Sequence, residues 1–156
     1  MAIEKVRARF RELGIEDRIM EFEASSATVE LAAQAVGVEP ARIAKTLSFY
    51  NGDRVALVVA AGDARVNSSK FKAAIHAKPK MLKAEDAERL IGHAVGGVCP
   101  FAVNSCCDVY LDESLKRFET VFPACGSANS AVEFTPEELE RYAAPCTWVD
   151  VCKLPE

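Results

Sequence analysis

Residues 95–101 combine two adjacent glycines, a cysteine and a proline within an apolar frame. Glycine lets a ligand approach the backbone closely, and proline holds a single conformation at the exit of the loop. Backbone N–H groups presented in this way can stabilise the charge that develops on a carbonyl oxygen under attack. A Gly-Gly turn that ends in proline is also common as plain structure, so the loop alone leaves both interpretations open.

Lys45 is the second candidate for chemistry. It lies at the entrance to a predicted strand, and no carboxylate occurs between Pro40 and Asp53. We therefore expect its ammonium to point into a cleft without a partner supplied by its own segment. The alternative is a lysine that extends along the surface at the boundary of an element.

Cys99 lies inside the loop of residues 95–101 (the glycine loop), where a thiolate nucleophile is conceivable. Such a nucleophile needs a depressed pKa and a nearby base, and the sequence shows neither. We predict that Cys99 forms part of a pocket wall and that His93 is a turn or surface residue. Asp112 and Glu113 could be read as a pair of carboxylates, but adjacent side chains point apart, and we predict the start of a short helix there.

The cysteines contain no Cys-x-x-Cys pair, and the neighbours Cys106 and Cys107 cannot easily chelate one tetrahedral ion together. We predict reduced thiols that serve as small apolar residues. A thiol or zinc protein that uses Cys99, Cys106, Cys107 and Cys125 is the alternative.

Length and composition predict one domain over residues 1–156. Half of the residues are hydrophobic, yet no stretch approaches the roughly 18 apolar residues of a membrane helix. The first residues are charged and amphipathic rather than an apolar signal core. We expect a cytoplasmic protein that does not contact a membrane.

The net charge of −4 argues against a general nucleic-acid binder. Residues 64–84, however, contain only basic charges: Arg65, Lys70, Lys72, Lys78, Lys80 and Lys83. A local basic face suits salt-sensitive contact with phosphates. A solvated helix face is the alternative interpretation.

The chain predicts helices interleaved with short strands. Apolar spacing predicts helices over 3–13, 28–36, 68–77 and 84–90, and Thr135 with Glu138 forms a capping box before a helix to Tyr142. Strands are predicted over 19–22, 46–50, 54–60, 108–111, 119–123 and 130–134. An Asn51-Gly52 type I′ turn would join the second and third of these strands. The pattern indicates an α+β domain around a mixed or antiparallel sheet flanked by helices.

Five short motifs occur in a characteristic order. They are residues 43–47, the 62–67 run with Lys70, the glycine loop to Phe101, residues 109–115 and residues 124–126. Together they resemble the YbaK/ProX-type aminoacyl-tRNA deacylases, the editing domains found free-standing or inserted in prolyl-tRNA synthetases. The resemblance extends from about Phe22 to Tyr142.

The resemblance implies hydrolysis of the ester that joins a wrong, small amino acid (Ser, Thr, Ala, Cys or Pro) to tRNA. It implies a positioned water, assisted by the substrate's ribose hydroxyl, and no cofactor, metal or covalent nucleophile. The partners would be a mischarged tRNA and, optionally, a synthetase. A binding module that has lost hydrolysis is the alternative.

Site residues follow from the same resemblance and from the residue types. The catalytic set is Lys45, Gly96, Gly97, Val98 and Cys99. The substrate-binding set is Phe22, Thr28, Pro100, Phe101, Ala124, Cys125 and Gly126, with Ser25 and Ser26 as weak contacts. The tRNA-binding set is Arg65, Lys70, Lys72, Lys78 and Lys80. Ala124 stands where some relatives carry serine, which leaves the choice of amino acid open.

Overall fold

The computed structural model describes residues 2–155, which contain five α-helices and nine strands. The helices are α1 (Ala2–Leu13), α2 (Val29–Val36), α3 (Ser68–Ile75), α4 (Ala84–Ile91) and α5 (Pro136–Tyr142). The strands are β1 (Met20–Glu21), β2 (Ile43–Asn51), β3 (Arg54–Ala61), β4 (Arg65–Val66), β5 (Cys107–Asp112), β6 (Phe122–Pro123), β7 (Ser130–Ala131), β8 (Cys146–Val149) and β9 (Cys152–Lys153). Short 3-10 helices cover Glu16–Arg18, Pro40–Arg42 and Glu113–Arg117.

A five-stranded sheet in the order β6-β2-β3-β5-β8 organises the molecule. β2 and β3 form an antiparallel hairpin, and the other neighbours are parallel. β1 with β7, and β4 with β9, form two small antiparallel ladders. The sheet is therefore mixed, and the predicted α+β class is confirmed.

β3 lies at the centre of this sheet. Its residues from Val55 to Ala61 are all buried. Because successive side chains of a strand point to opposite faces, continuous burial means that both faces of the sheet are covered. Aromatic contacts complete the cover: Phe49 of β2 lies 4.7 Å from Phe71 of α3, measured between ring centroids. A second aromatic cluster joins Phe10 of α1 to Phe101 and Phe134.

Several predicted boundaries differ from the structure. The hairpin register pairs Asn51 with Arg54, so Gly52 and Asp53 form the turn. Only Gly52 has a positive φ, of 64°, which is the pattern of a type II′ rather than the predicted type I′ turn. α3 ends at Ile75 rather than near residue 77, and His76, whose φ is 66°, caps its C-terminus. β8 and β9 were not predicted, because each is a short segment that depends on its partner strand.

α5 begins with the predicted capping box, in which Thr135 Oγ1 accepts from the Glu138 N–H and the Glu138 carboxylate accepts from the Thr135 N–H. Arg18 donates to both oxygens of the same carboxylate, over 2.8 and 3.2 Å. Arg18 also lies over the Phe134 ring. The bonds from Arg18, and next the N–H of Thr135, lower the pKa of Glu138 to about 2.

We expect Glu138→Gln to lose about 1 kcal/mol of stability at neutral pH, because glutamine keeps the cap but loses the charge pair. A depressed native pKa stabilises the fold above the unfolded pKa, and that stability is lost as the pH falls through the native value. The difference between wild type and variant should therefore disappear between about pH 4.5 and about pH 2. Urea unfolding at a series of pH values measures it, and an equal difference at pH 7 and pH 2 would contradict the linkage.

Candidate functional site

A cleft of about 380 Å³ lies along one end of β2. Its walls come from residues 26–29 before and at the start of α2, from β2 itself, from residues 81–87, and from the glycine loop. Phe122, Ala124 and the strand β7 close the remaining side. The cleft therefore gathers segments from distant parts of the chain around the beginning of β2.

Lys45 is the third residue of β2 and lines this cleft. Its Nζ donates to the carbonyl oxygens of Gly62 and Ala64, over 3.3 and 2.5 Å. Burial lowers the pKa of the ammonium below its ordinary value, and the nearby charge of Arg65 acts in the same direction. Neither carbonyl belongs to residues 40–53, which agrees with the expectation that its own segment supplies no partner; the two residues that hold the ammonium follow β3.

The turn that holds Lys45 is tightly built. A β-carbon on Gly62 would lie 2.0 Å from the carbonyl oxygen of Pro40, so only glycine allows this approach. Asp63, the next residue, forms an ion pair with Arg117 over 2.5 Å, and this pair lowers the pKa of the Asp63 carboxyl. The carbonyls that face Lys45 are thus fixed by a steric constraint and by an ion pair.

The residues of the glycine loop lie in three environments: the cleft, a second cavity and the core. Gly96 and Val98 line the cleft. Gly97 instead donates its N–H to Ala94 O over 3.0 Å and lines a second cavity of about 630 Å³ with Gly126. Gly97 is therefore not free to act as a backbone donor, which corrects its predicted role. The N–H groups of Gly96 and Val98 have no acceptor among the residues that the structure describes.

Gly97 is required because of close packing rather than because of its dihedral angles. A β-carbon there would lie 2.7 Å from the carbonyl carbon of Gly126 and 2.7 Å from the nitrogen of Ser127. Gly126 itself has a φ of 95°, a conformation that other residues rarely adopt. The contact between these two loops sets the position of Gly96 and Val98 at the cleft.

Cys99 points into the core and lines neither cavity. Its side chain is completely buried, and burial raises the pKa of its thiol to about 12. His93, predicted at a turn or surface, is also completely buried, with Nε2 3.5 Å from the Cys99 sulfur and 2.7 Å from Phe101 O. A proton on Nε2 satisfies that carbonyl, which leaves this nitrogen unable to accept the thiol proton. Cys99 thus has neither the access nor the base that a nucleophile needs.

Only two of the seven residues assigned to substrate binding line the cleft, namely Thr28 and Ala124. Pro100, Phe101 and Cys125 are buried in the core, and Gly126 lines the second cavity. Phe22 is half-buried and exchanges hydrogen bonds with Asn129. Of the two weak contacts, Ser26 lines the cleft, whereas Ser25 bonds Ala27 and Ala128 at the surface.

Sequence reasoning missed Thr46, Met81 and Val95 at the cleft. Thr46 was part of the motif around Lys45, but nothing in that motif distinguished it from an ordinary strand residue. Met81 and Val95 are large apolar residues with exposed fractions of 57% and 65%. Exposed apolar side chains at a cleft mouth are a signal for ligand contact that only the structure can show.

The residues assigned to tRNA binding all lie outside the cleft. Lys78 and Lys80 are exposed beside the segment that pairs with the edge of β2, since Lys80 O accepts from Tyr50 N. Lys72 is exposed on α3. Arg65 lies in β4, and Lys70 forms an ion pair with Asp150 over 3.0 Å. Lys70 is therefore less available than its exposed neighbours.

All six cysteines are free thiols. Cys106 and Cys107 both direct their sulfurs toward the carbonyl of Leu90. Within residues 2–155, no group of three or more His, Cys, Asp or Glu side chains is arranged to hold a metal ion. Asp112, the other candidate for chemistry, is buried and accepts from the N–H groups of Ser114 and Val151, so it caps the following 3-10 helix.

Residues 23–142 match the family model of the aminoacyl-tRNA editing domain. The chain belongs to this family. The uncharacterised protein YwhH of Bacillus subtilis (strain 168) is 50% identical over 154 residues, which cover 98% of each chain. A proline–tRNA ligase of Caldicellulosiruptor bescii is 31% identical over 90 residues, which are 57% of this editing-domain chain and 15% of the ligase.

The fold of this editing domain is shared with solved structures. One, described provisionally as a trans-editing enzyme for prolyl tRNA synthetase, superposes with a TM-score of 0.87 and 28% identity over 97% of both chains. The resemblance to the editing-domain family is thereby confirmed. Among the described residues, no helix has the length and apolar character needed to span a membrane.

Proposed function

We propose that this editing domain is an aminoacyl-tRNA deacylase that removes a small, wrongly attached amino acid from tRNA. The observation that carries the proposal is one cleft lined by Lys45, Gly96 and Val98, the last two of which have N–H groups without an acceptor among the described residues. The relatedness to proline–tRNA ligases supports a tRNA that serves a prolyl-tRNA synthetase. A cytoplasmic location is part of the same proposal. Such a synthetase would be the partner that supplies the mischarged tRNA.

The reaction needs little covalent chemistry from the protein, because an aminoacyl ester is already activated. A water oxygen adds to the ester carbonyl carbon, and the negative charge moves to the carbonyl oxygen. Collapse of this intermediate breaks the bond to the ribose oxygen, which takes a proton that came from the water. The products are the free amino acid and a tRNA with its terminal hydroxyl restored.

Stabilisation of the developing oxyanion falls to donors that are fixed before the substrate arrives. Gly96 and Val98 can supply backbone N–H groups, and their loop is held by the contact of Gly97 with Gly126. Lys45 can supply a positive charge toward the carbonyl or the terminal phosphate while Gly62 and Ala64 hold its ammonium. This division gives Lys45 a task distinct from that of Gly96 and Val98.

Lys45→Met should lower single-turnover deacylation of a mischarged tRNA by about 10²–10³-fold, because it removes the fixed charge. Since Lys45 also bonds two carbonyls, Asp63→Asn is the matched control, which loosens the same turn but keeps the ammonium. Thermal unfolding reports the integrity of both variants. A folded Lys45→Met protein with near wild-type turnover would refute the role, and an equal loss in Asp63→Asn would make Lys45 a positioning residue.

Gly97→Ala should slow deacylation by about 10²-fold, because the added carbon displaces a loop that must position donors within about an ångström. Cys99→Ala should keep the rate within about tenfold, since the buried thiol does not reach the cleft. Both variants are compared in single-turnover deacylation at equal folded fraction. A dead Cys99→Ala with a normal Gly97→Ala would establish a covalent thiol mechanism instead.

Exchange of Lys78 and Lys80 for glutamine should weaken tRNA binding and reduce its dependence on salt. Two lost phosphate contacts lower the slope of log K against log salt concentration by roughly 1–2. The control is the double exchange of Lys116 and Lys153, which changes the net charge equally but lies outside residues 64–84. Equal slopes for the two double variants would assign Lys78 and Lys80 to solubility alone.

A further inference from the structure

The second cavity, of about 630 Å³, lies directly beside the cleft. Val95 lines both of them and is 65% exposed. A β-carbon on Gly96 would lie 3.3 Å from the Ala27 Cβ, at the cleft, and 3.5 Å from the Ala128 Cβ, at the second cavity. The walls of the two cavities therefore meet at the glycine loop, and a ligand that leaves the cleft over Val95 enters the second cavity.

Backbone forms much of the wall of the second cavity, because Gly92, Gly97 and Gly126 are among its lining residues. Glycine lets a ligand approach the main chain closely. Ser127 and Ala128 continue the wall, the first half-buried and the second exposed, and neither N–H group has an acceptor among the described residues. Successive backbone N–H groups in a turn are a common means of binding anions. This wall favours a ligand with acceptor oxygens.

One lysine and one glutamate supply the charges of the second cavity. Lys5 of α1 and Glu88 of α4 both line it. A β-carbon on Gly92 would lie 3.5 Å from Lys5 Nζ, so the ammonium extends to the turn that ends α4. Neither Lys5 nor Glu88 takes part in an ion pair within residues 2–155. The two charges suit a ligand with an anion at one end and hydrogen-bond donors at the other.

We infer that the second cavity binds the nucleotide that precedes the terminal adenosine of the tRNA, with Lys5 at the phosphate that joins the two. This inference rests on the proposed deacylase function, which places the aminoacylated end in the cleft. The phosphate oxygens accept from Lys5 and from the wall of residues 127–128. Glu88 accepts from a hydroxyl or amino group of the same nucleotide. A free phosphate would gain nothing from Glu88, whose charge repels it.

Size and shape favour this route for the single-stranded end over a route toward Lys78 and Lys80. The volume of the second cavity falls in the range of about 300–1,000 Å³ that is usual for small-ligand sites. Lys78 and Lys80 are exposed and line neither the cleft nor the second cavity. They can hold phosphates farther along the tRNA, whereas the nucleotide next to the adenosine needs a site that adjoins the cleft.

Two short esters of one amino acid test the inference: aminoacyl-adenosine and aminoacyl-cytidylyl-adenosine, made with the amino acid that the wild type removes fastest from tRNA. The wild type should hydrolyse the dinucleotide ester with a kcat/KM at least about fivefold higher. Lys5→Gln should lose about fivefold on the dinucleotide ester and stay within about twofold on the nucleoside ester. The loss should shrink as salt rises, because Lys5 is exposed.

Control variants separate the charge of Lys5 from its place in α1. Lys5→Arg keeps the charge and should keep the preference for the dinucleotide ester. Arg9→Gln removes a charge from an exposed position of the same helix outside the cavity, and it should change neither rate. Thermal unfolding should show Lys5→Gln to be as stable as the wild type, since the side chain is exposed and has no ion-pair partner among the described residues.

A binding measurement does not depend on hydrolysis. Calorimetry should show that cytidylyl-adenosine without an amino acid binds the wild type more tightly than it binds Lys5→Gln. Inorganic phosphate at the same concentration should not displace it. Displacement by phosphate would overturn the inference, because the cavity would then be a site for a free anion.

Equal losses on the two esters in Lys5→Gln would also overturn the inference, since Lys5 would then act through the glycine loop. An unchanged preference for the dinucleotide ester in Lys5→Gln would place the nucleotide elsewhere and overturn it too, while the deacylase function would stand. A folded wild type that hydrolyses no ester, yet binds cytidylyl-adenosine through Lys5, would overturn the deacylase function and leave the nucleotide site in place.

Discussion

The cleft exists because the outer edge of β2 changes partner partway along its length. Along its inner edge β2 pairs with β3 from Ala44 to Asn51. On the outer edge β6 stops at Ala44, and the 80–82 segment bonds from Ser48 onward. A sheet edge that is paired at both ends but open between them is a recess with fixed walls. Lys45 and Thr46 lie at that opening, which places a charge and a hydroxyl on a strand that is paired along its inner edge.

Local signals predicted much of the fold, because they act through neighbouring residues. The caps of α2 and α5 and the glycine that ends α1 depend on groups within one turn, and the structure has them where the sequence predicted. The β2–β3 hairpin was predicted from its turn residues. The turn lies one residue later than predicted, at Gly52 and Asp53, and its type differs. β8 and β9 contain few residues, and their pairing with β5 and β4 is a tertiary contact that no local pattern reports.

The candidate site was harder to predict for a related reason. A motif indicates which loop is present but not which way each residue faces. In the glycine loop Gly96 and Val98 line the cleft, Gly97 packs on Gly126 and Cys99 enters the core. The partners of Lys45 were equally hard to predict, since Gly62 and Ala64 lie in the turn between β3 and β4, far from Lys45 along the chain. The second cavity is likewise visible only in space, because α1, the end of α4 and two loops form it together.

Burial separates the groups that can act on a substrate from those that only support the site. Cysteine is the most nucleophilic residue type in the loop, yet desolvation keeps the Cys99 thiol protonated. His93 donates its Nε2 proton to the carbonyl of Phe101, so it does not act as a base for this thiol. Together they tie the end of the loop to the core. Lys45 is only half-buried, so its ammonium can exchange a carbonyl partner for a substrate oxygen with little loss of hydrogen bonding. In the proposed deacylase, the rate would come from fixed donors around an ester that is already reactive, and the buried thiol would take no part.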